Sequence, residues 1–248
     1  MANSEMQDPS SADPPRHEES PEASQASSPE PGGTDGTVAD DDLPVEDLMH
    51  GDGHAAIPNR PSIDADGSIE IDELTPADFE PDDLRQRLRT MMLSRRLDEK
   101  MMTLLKQGQG HFHIGCAGHE AVQSAISRYS RPGEGPGHDW FCFYYRDLCM
   151  ALSLGMTPRE ALLAHLAKAD DPNSGGRQMP EHFGLKHLNV MTTASSVGAQ
   201  FNPGLGFGLA IQQRGEDNYV YISCGDGATS QGDFHEALNW AAREQAPA

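Results

Sequence analysis

The sequence lacks the features of several protein classes. It has four cysteines and no CxxC pair, so neither a disulfide framework nor a paired-thiol zinc site is indicated. No apolar run approaches the roughly 18 residues of a membrane span. The opening MANSEMQDPSS has neither the basic start nor the apolar core of a signal peptide. We therefore expect a cytoplasmic protein with no membrane partner.

Basic residues are scarce. Eighteen Lys and Arg stand against 39 Asp and Glu, for a formal net charge of −21. Residues 1–80 hold 21 of the acids and only two bases, whereas residues 81–248 are nearly balanced. No basic stripe runs along the chain, and this argues against a nucleic-acid partner.

The acidic segment, residues 1–80, is rich in Pro, Ser, Asp and Glu, with Phe79 as its single aromatic residue. Such a composition cannot bury enough apolar surface to offset the entropy lost on ordering. Two acidic fragments, at 35–42 and 64–67, lack the closing Glu of a calcium loop. We predict a disordered acidic tail over residues 1–80 and a folded domain over residues 81–248.

Helical and strand patterns alternate in the folded part. The predicted elements are helices over residues 82–108, 120–127, 147–155, 158–168 and 194–213 and strands over residues 140–145 and 219–224. A capping box at 157–160 begins the fourth helix, and Pro203 predicts a kink or break in the fifth. This order favours an α/β fold with an open, mostly parallel sheet and flanking helices.

The stretch with the clearest functional pattern follows the second predicted strand. It contains Gly225-Asp226-Gly227 and then a helix that Ser230 and Asp233 are predicted to cap. A loop between strand and helix lies at the carboxyl edge of a parallel sheet, where α/β folds bind ligands. Glycines let backbone N–H groups approach a phosphate, and a carboxylate can hold a hard cation. Alternatively, Asp226 is a turn residue, since GDG also occurs at 51–53.

A histidine-rich loop, GQGHFHIGCAGHE, follows the first helix. Its potential metal ligands are His111, His113, Cys116 and His119. Their spacing matches none of the usual structural zinc patterns. We prefer a glycine-hinged loop that offers a histidine to a pocket, with a metal cluster and a plain surface loop as alternatives.

Tyr145 and Arg146 stand where the first predicted strand ends and a helix begins. An arginine in this position is well placed to bind a phosphate. The alternative is a surface salt bridge with Asp147 or another acid. A long polar loop over residues 169–191 is also of interest, because loops of this length are usually functional or mobile.

Five segments occur in an order typical of one enzyme family. They are FHIGCAGHEAVQSA, DWFCFYYRDLCMALSLGMTP, GGRQMPEHFG, SSVGAQ and GDGATSQGDFHEALNWAA. Together they resemble the alpha subunit of thiamine diphosphate-dependent 2-oxo acid dehydrogenases, the decarboxylating component of the branched-chain and pyruvate complexes. The match runs from about Leu84 to the end. The GRQMPEHFG and AGHEA segments favour a branched-chain 2-oxo acid, with pyruvate and acetoin as alternatives.

The resemblance implies thiamine diphosphate and Mg²⁺ as cofactors. Asp226 would be a Mg²⁺ ligand, and Gly227 and Ala228 would line the diphosphate. Tyr145 and Arg146 would contact the diphosphate from the neighbouring strand end.

It also implies the surroundings of the cofactor rings and the substrate. Val197 would lie under the thiazolium, and the backbone of Ser195 would lie against the aminopyrimidine. His113 would lie in the substrate pocket beside Phe112, with His182 of the MPEHF loop as a second candidate.

Two departures from the family pattern stand out. Branched-chain members have a potassium site around SSVGAQ, where Gln200 matches but Ala199 replaces a Thr. The family's cofactor motif also continues beyond GDG to an Asn that completes the Mg²⁺ site. This chain has 22 residues after Asp226, which do not reach that Asn. We therefore expect a domain truncated at its C-terminus, with weak or no activity on its own.

The implied partners are a beta subunit, in a heterotetramer, a lipoyl-bearing acyltransferase and the 2-oxo acid. The implied reaction decarboxylates the 2-oxo acid on the thiamine cofactor and passes the acyl group to a lipoyl arm. A non-catalytic α/β remnant, acting through subunit assembly or its acidic tail, is the alternative function.

Overall fold

The computed structural model describes residues 79–248 and, within the acidic segment, the backbone of two short antiparallel strands, β1 (Ser62–Ile63) and β2 (Ile69–Glu70). These residues belong to one compact unit, Val45–Ala248; the other unit, Met1–Pro44, lies outside the described residues. The rest of the predicted acidic tail, including both acidic fragments and the second GDG, also lies outside them.

Helices and strands alternate along the described domain. They are α1 (Pro81–Lys106), α2 (Glu120–Arg128), β3 (Trp140–Cys142), α3 (Leu148–Leu154), α4 (Pro158–His165), α5 (Phe201–Arg214), β4 (Val220–Ile222) and α6 (Gly232–Glu244), with 3₁₀ turns at Lys186–Leu188 and Asp226–Ser230. β3 and β4 pair in parallel, with Cys142 opposite Ile222. The fold is therefore helix-rich α/β with a small parallel sheet, in agreement with the predicted class. No helix of the described part is both long and apolar enough to cross a membrane.

Further backbone segments flank the strand pair. On one side Phe141 forms a parallel bridge with Val190, and on the other the Val220 N–H donates to the Pro247 carbonyl at 2.8 Å. Both strands are shorter than predicted. β3 ends early because the Tyr144 N–H donates to the Asp147 carboxylate, at 2.9 Å, instead of to a neighbouring strand.

Helices cover both faces of the sheet. Successive side chains of a strand point to opposite faces, so each face carries apolar side chains that a helix can bury. Phe141 packs with α1 and α3 in the larger apolar core, around Met101 and Leu148. The adjacent Cys142 packs with Ile211 of α5 on the other face.

The predicted start of the fifth helix, at 194, is wrong, since α5 begins at Phe201. Gly198 has a φ of +86°, a left-handed conformation that interrupts a right-handed helix. Pro203 is the third residue of α5 and causes no break, because the N–H groups of a first turn have no partner within the helix.

The predicted cap of α6 is also wrong. Gln231, not Ser230, precedes the helix, and its side chain makes no capping bond. Asp233 instead accepts a hydrogen bond from Asn202 of α5, at 2.7 Å. The capping box of α4 is confirmed, since the Glu160 N–H donates to Thr157 Oγ1 at 3.2 Å and the Thr157 N–H donates to the Glu160 carboxylate at 2.7 Å.

The carboxyl ends of the two strands are cross-linked by a buried carboxylate, that of Asp147. Its Oδ2 accepts hydrogen bonds from the Tyr144 N–H and the Ser223 hydroxyl. Its Oδ1 accepts from Gln123 Nε2 of α2, at 3.1 Å. Burial raises the pKa of Asp147 from 3.8 to about 6, against the opposing effect of the bonds from Ser223 and Tyr144.

α5 approaches the strands closely because Gly204 faces them. A Cβ at Gly204 would lie 2.6 Å from Cδ1 of Ile222 and 3.2 Å from Sγ of Cys142. Overpacking of this kind costs roughly 1–3 kcal/mol. We expect Gly204→Ala to lower the free energy of unfolding by that amount, measured by urea denaturation.

Gly206 of the same helix is the matched control, since a Cβ there would meet no described atom within 4 Å. Gly206→Ala should raise the free energy of unfolding by roughly 0.5–1 kcal/mol, because alanine loses less backbone entropy than glycine. Equal effects of the two substitutions would contradict the close contact of α5 with the sheet.

Asp147 also predicts a pH dependence of stability. Because its folded-state pKa lies above its ordinary value, its contribution to stability is complete below pH 3.8 and is lost as the pH rises through about 6. The side chain of Asp147→Asn cannot ionise. The unfolding free energy of the variant minus that of the unmodified chain should therefore rise by up to roughly 3 kcal/mol from about pH 4 to about pH 7. Urea denaturation across this range measures the shift, and a difference independent of pH would contradict it.

Candidate functional site

The predicted diphosphate loop and the predicted arginine lie at one edge of the sheet. Because β3 and β4 are parallel, their carboxyl ends meet there, and the segments that follow them are neighbours. A Cβ at Gly225 would lie 3.7 Å from Cε2 of Tyr144, the residue before Tyr145 and Arg146. The tertiary structure thus brings together segments about 80 residues apart, to which the family resemblance had assigned the same ligand.

The GDG loop is anchored on one side and open on the other. Asp226 begins a 3₁₀ turn in which Ala228 is buried against Phe201 and Leu205 of α5. Asp226 and Gly227 are exposed, and a Cβ at Gly227 would meet no described atom within 4 Å. The Asp226 carboxylate makes no hydrogen bond or ion pair within residues 79–248, so it can bind a cation without breaking an existing contact.

The half-buried Arg146 is held by backbone and aromatic contacts. Its Nε donates to the Gly115 carbonyl at 3.2 Å, and its Cζ lies 5.0 Å from the centroid of the Tyr145 ring. The alternative prediction, a salt bridge with Asp147 or another acid, is not observed in the described part of the chain. The guanidinium charge is therefore not neutralised by a carboxylate and can attract an anion.

A cavity of about 190 Å³ opens beside the strand ends. Its walls include Tyr144 and Asp147 after β3, Ser223 and Cys224 after β4, and His119, Val122 and Ile126 at α2. Complete small-molecule sites occupy roughly 300–1,000 Å³, so this cavity can take part of a cofactor-sized ligand. The centroid of the His119 ring lies 6.4 Å from that of the Tyr144 ring. The sequence did not predict this position, because it depends on how α2 packs against the strand ends.

The SSVGAQ segment, residues 195–200, is attached to the same edge of the sheet. Gln200 Nε2 donates to the Ser223 carbonyl at 2.8 Å, which ties the segment to the end of β4. Thr193, just before the segment, donates from its hydroxyl to the Phe143 carbonyl at 3.2 Å. Between these two anchors Val197 is 54% exposed, so it presents an apolar surface to solvent.

His182 and Ser195, which were predicted as separate site residues, are hydrogen-bonded to each other. The Nε2 of His182 lies 2.8 Å from the Ser195 hydroxyl, and its Nδ1 lies 3.3 Å from the Pro180 carbonyl. His182 is buried whereas Ser195 is exposed. The pair thus connects the long loop to the SSVGAQ segment.

His113 lies in a buried cluster and does not line the cavity. Its side chain is 1% exposed, with Nε2 3.0 Å from Asp98 Oδ1 and Nδ1 2.9 Å from Glu181 Oε1. Burial lowers the pKa of His113, but Glu181 and Asp98 outweigh this and raise it. Sequence reasoning missed both acids, because Asp98 looked like part of an amphipathic helix and Glu181 like part of a polar loop.

The four potential ligands of the histidine-rich loop do not gather around one point. Cys116 donates from its thiol to Asp98 at 3.3 Å, and burial raises the pKa of that thiol. His111 is exposed, and His119 lines the cavity. Within the described residues the one group with metal-ligand spacing is His113, His165 and Glu181, and only the first belongs to the predicted pattern.

Comparison with known proteins identifies the family. A family model described as "Dehydrogenase E1 component" matches residues 88–248, from within α1 to the last residue. The 2-oxoisovalerate dehydrogenase subunit alpha of Bacillus subtilis is 40% identical over 159 residues, which cover 64% of this chain and 47% of that protein. The pyruvate dehydrogenase E1 component subunit alpha of Staphylococcus aureus is 31% identical over 186 residues, 75% of this chain and 46% of that protein.

The same subunit of Staphylococcus epidermidis is 30% identical over the same length. The chain spans about half the length of these curated relatives. The family match covers both strands of the parallel pair and the GDG loop. The resemblance inferred from the five segments is confirmed, and the chain belongs to the dehydrogenase E1 component family.

Proposed function

We propose that this chain forms part of the alpha subunit of a thiamine diphosphate-dependent 2-oxo acid dehydrogenase. Its role is to hold the Mg²⁺-diphosphate end of the cofactor at the carboxyl edge of β3 and β4. The observation that supports the proposal is that the segments with Asp226-Gly227 and Arg146 follow two paired parallel strands at the same edge of the sheet, where Gly225 lies close to Tyr144.

The residues present fit such a group. Mg²⁺ is usually bound through one or two carboxylates together with phosphate oxygens, and the exposed Asp226 offers one carboxylate. The open space at Gly227 lets backbone N–H groups approach a phosphate. The Arg146 guanidinium, which no described carboxylate neutralises, can form charge-assisted bonds with the diphosphate, with Tyr145 beside it.

The remaining predicted residues suit the ring end of the cofactor. Thiamine diphosphate, when bound, supplies the carbanion chemistry that decarboxylation requires. Val197 offers an exposed apolar side chain on which a ring can rest. His182 can exchange a proton with the Ser195 hydroxyl, to which it is hydrogen-bonded.

His113 is less well placed for the predicted substrate contact. Both of its ring nitrogens are already bonded to carboxylates, and its side chain is buried. We keep it as a candidate at the substrate side of the site, where it would act only after a change in these contacts.

The substrate proposal is a branched-chain 2-oxo acid, with pyruvate as the alternative. It is supported by the higher identity to the relative named 2-oxoisovalerate dehydrogenase, 40% against 31% for the one named pyruvate dehydrogenase. The proposed partners are a beta subunit and a lipoyl-bearing acyltransferase. Because the chain spans about half of its relatives, we assign the reaction to the assembled enzyme.

The cation role of Asp226 can be tested by cofactor binding. Thiamine diphosphate with Mg²⁺ should raise the melting temperature of the chain in complex with its beta subunit, since a ligand that binds only the folded state stabilises it. Asp226→Asn should weaken the Mg²⁺-dependent binding at least tenfold, or about 1.4 kcal/mol. Isothermal titration calorimetry with and without Mg²⁺ measures the loss.

Asp233→Asn is the matched control, because Asp233 is also an exposed acid that follows the GDG loop but is bonded to Asn202. This variant should bind the cofactor as the unmodified chain does. Unchanged binding by Asp226→Asn would refute the metal role. No thermal effect of the cofactor on the unmodified complex would favour the assembly-only alternative.

A further inference from the structure

A second cluster lies in the interior of the domain. His165, the last residue of α4, is completely buried, and neither of its ring nitrogens makes a hydrogen bond of ordinary geometry within the described residues, where the ring has only a looser contact with the Met101 backbone. The buried Oε2 of Glu181 is likewise without a partner there. A buried polar atom without a partner costs roughly 1–3 kcal/mol, so the Glu181 oxygen and the neighbouring His165 ring call for an explanation.

The backbone at this place is also in a costly conformation. Glu181 has a φ of +62°, in the left-handed region that residues with a Cβ seldom adopt. Strain of this kind costs on the order of 1–3 kcal/mol and is concentrated at functional sites. In this conformation the Glu181 carboxylate lies within hydrogen-bond distance of His113, which is 68 residues earlier in the chain.

The side chains have the composition and spacing of a metal site. One ligand atom from each of His113, His165 and Glu181 lies within 4.8 Å of the other two. The rings of His113 and His165 are nearly perpendicular, with centroids 5.6 Å apart. Two histidines and a glutamate form one of the ligand sets that hold Zn²⁺ with a fourth position left for water.

Asp98 supplies the outer contact that such sites usually contain. Its Oδ1 lies 3.0 Å from Nε2 of His113, which leaves Nδ1 directed toward Glu181. A metal-binding histidine almost always donates its other ring N–H to a carboxylate or carbonyl, which orients the ring and raises its basicity. The same Asp98 oxygen is fixed by the backbone N–H of Cys116, at 2.9 Å.

We propose that His113, His165 and Glu181 bind one divalent transition-metal ion of the Zn²⁺ type, with Asp98 orienting His113. Ligand atoms bonded to Zn²⁺ at about 2.0–2.1 Å lie roughly 3.3 Å apart in a tetrahedron. Starting from separations of at most 4.8 Å, the ligands must close by up to roughly 1.5 Å. Glu181 can contribute Oε2, the oxygen that His113 does not contact.

This site is chemically distinct from the one at Asp226. Imidazole ligands suit zinc and its neighbours in the periodic table, whereas Mg²⁺ prefers carboxylate, carbonyl and water oxygens. The ion would join the loop after α1, the end of α4 and the long polar loop. Because Glu181 precedes His182, it would also fix the segment from which His182 reaches Ser195.

A bridging water is the competing explanation for Glu181. A cavity of about 10 Å³ borders Glu181 and Met101, which is room for about one water molecule. Metal titration separates the two explanations, since a water-filled cluster binds no zinc. The titration contains no thiamine diphosphate and no Mg²⁺, so its outcome is independent of the proposed function.

The test is Zn²⁺ binding to the full chain after removal of metals with a chelator. Calorimetry should show one strongly bound Zn²⁺ per chain, and the ion should raise the melting temperature. His165→Gln should weaken the binding at least tenfold. The matched control is His111→Gln, since His111 is exposed and belongs to the histidine-rich loop but not to the buried cluster; it should bind zinc as the unmodified chain does.

Co²⁺ provides an independent readout of the ligands. The bound ion should show visible bands of a low-coordinate site without a thiolate charge-transfer band, because Cys116 lies outside the ligand set. If His165→Gln fails to fold, as judged by circular dichroism, Glu181→Gln replaces it. The proposal is overturned by absence of strong zinc binding, by unchanged binding in the folded variant, or by loss of binding in His111→Gln instead.

Discussion

The parallel pairing of β3 with β4 is the constraint on which the rest of this domain depends. Three residues on each strand set the register, and the Asp147 carboxylate continues the connection beyond the ladder by joining the Tyr144 N–H to the Ser223 hydroxyl. This arrangement brings the turn after β4 beside the turn after β3, so that Asp226 and Arg146 share one edge. Gly204 lets α5 lie directly on the strands, and α5 in turn supplies the apolar wall that anchors Ala228. A loss of register at the strands would therefore separate the two halves of the proposed diphosphate site.

Two kinds of polar chemistry are kept apart in the domain. At the sheet edge, Asp226 is exposed and its carboxylate has no hydrogen-bond or ion-pair partner within residues 79–248, as suits a ligand that arrives from solvent together with a hard cation. In the interior, the side chains of His113 and Glu181 are shielded from solvent and supported by Asp98, as suits the buried ion proposed there. The two regions are connected through the long loop, because Glu181 belongs to the interior group and the next residue, His182, is bonded to Ser195. Packing in the interior can thus influence the position of a residue at the edge.

Local patterns predicted the elements well where neighbours in sequence decide the structure. The capping box at Thr157 depends on contacts three residues apart and is found as predicted. The helix α1 also forms over nearly the predicted residues, although Leu84 and Leu88 of its apolar stripe are exposed. The patterns failed where a distant or unusual contact decides. Gly198 adopts a left-handed conformation and delays α5, and Asp233 is drawn from its predicted cap to Asn202, 31 residues away. Asp147 likewise ends β3 by capturing the N–H of Tyr144.

The sequence by itself determined the family, the α/β class and the residues that follow each strand, since these depend on the order of short segments. It also named both halves of the proposed diphosphate site, although it left a salt bridge as an alternative for Arg146. Only the tertiary structure decided which side chains are buried together. His113 appeared in a glycine-rich loop with no visible partner, yet its contacts are Asp98 and Glu181, 15 and 68 residues away. Such contacts depend on the packing of α1, α4 and the long loop, and the spacing of residues along one segment carries no information about that packing.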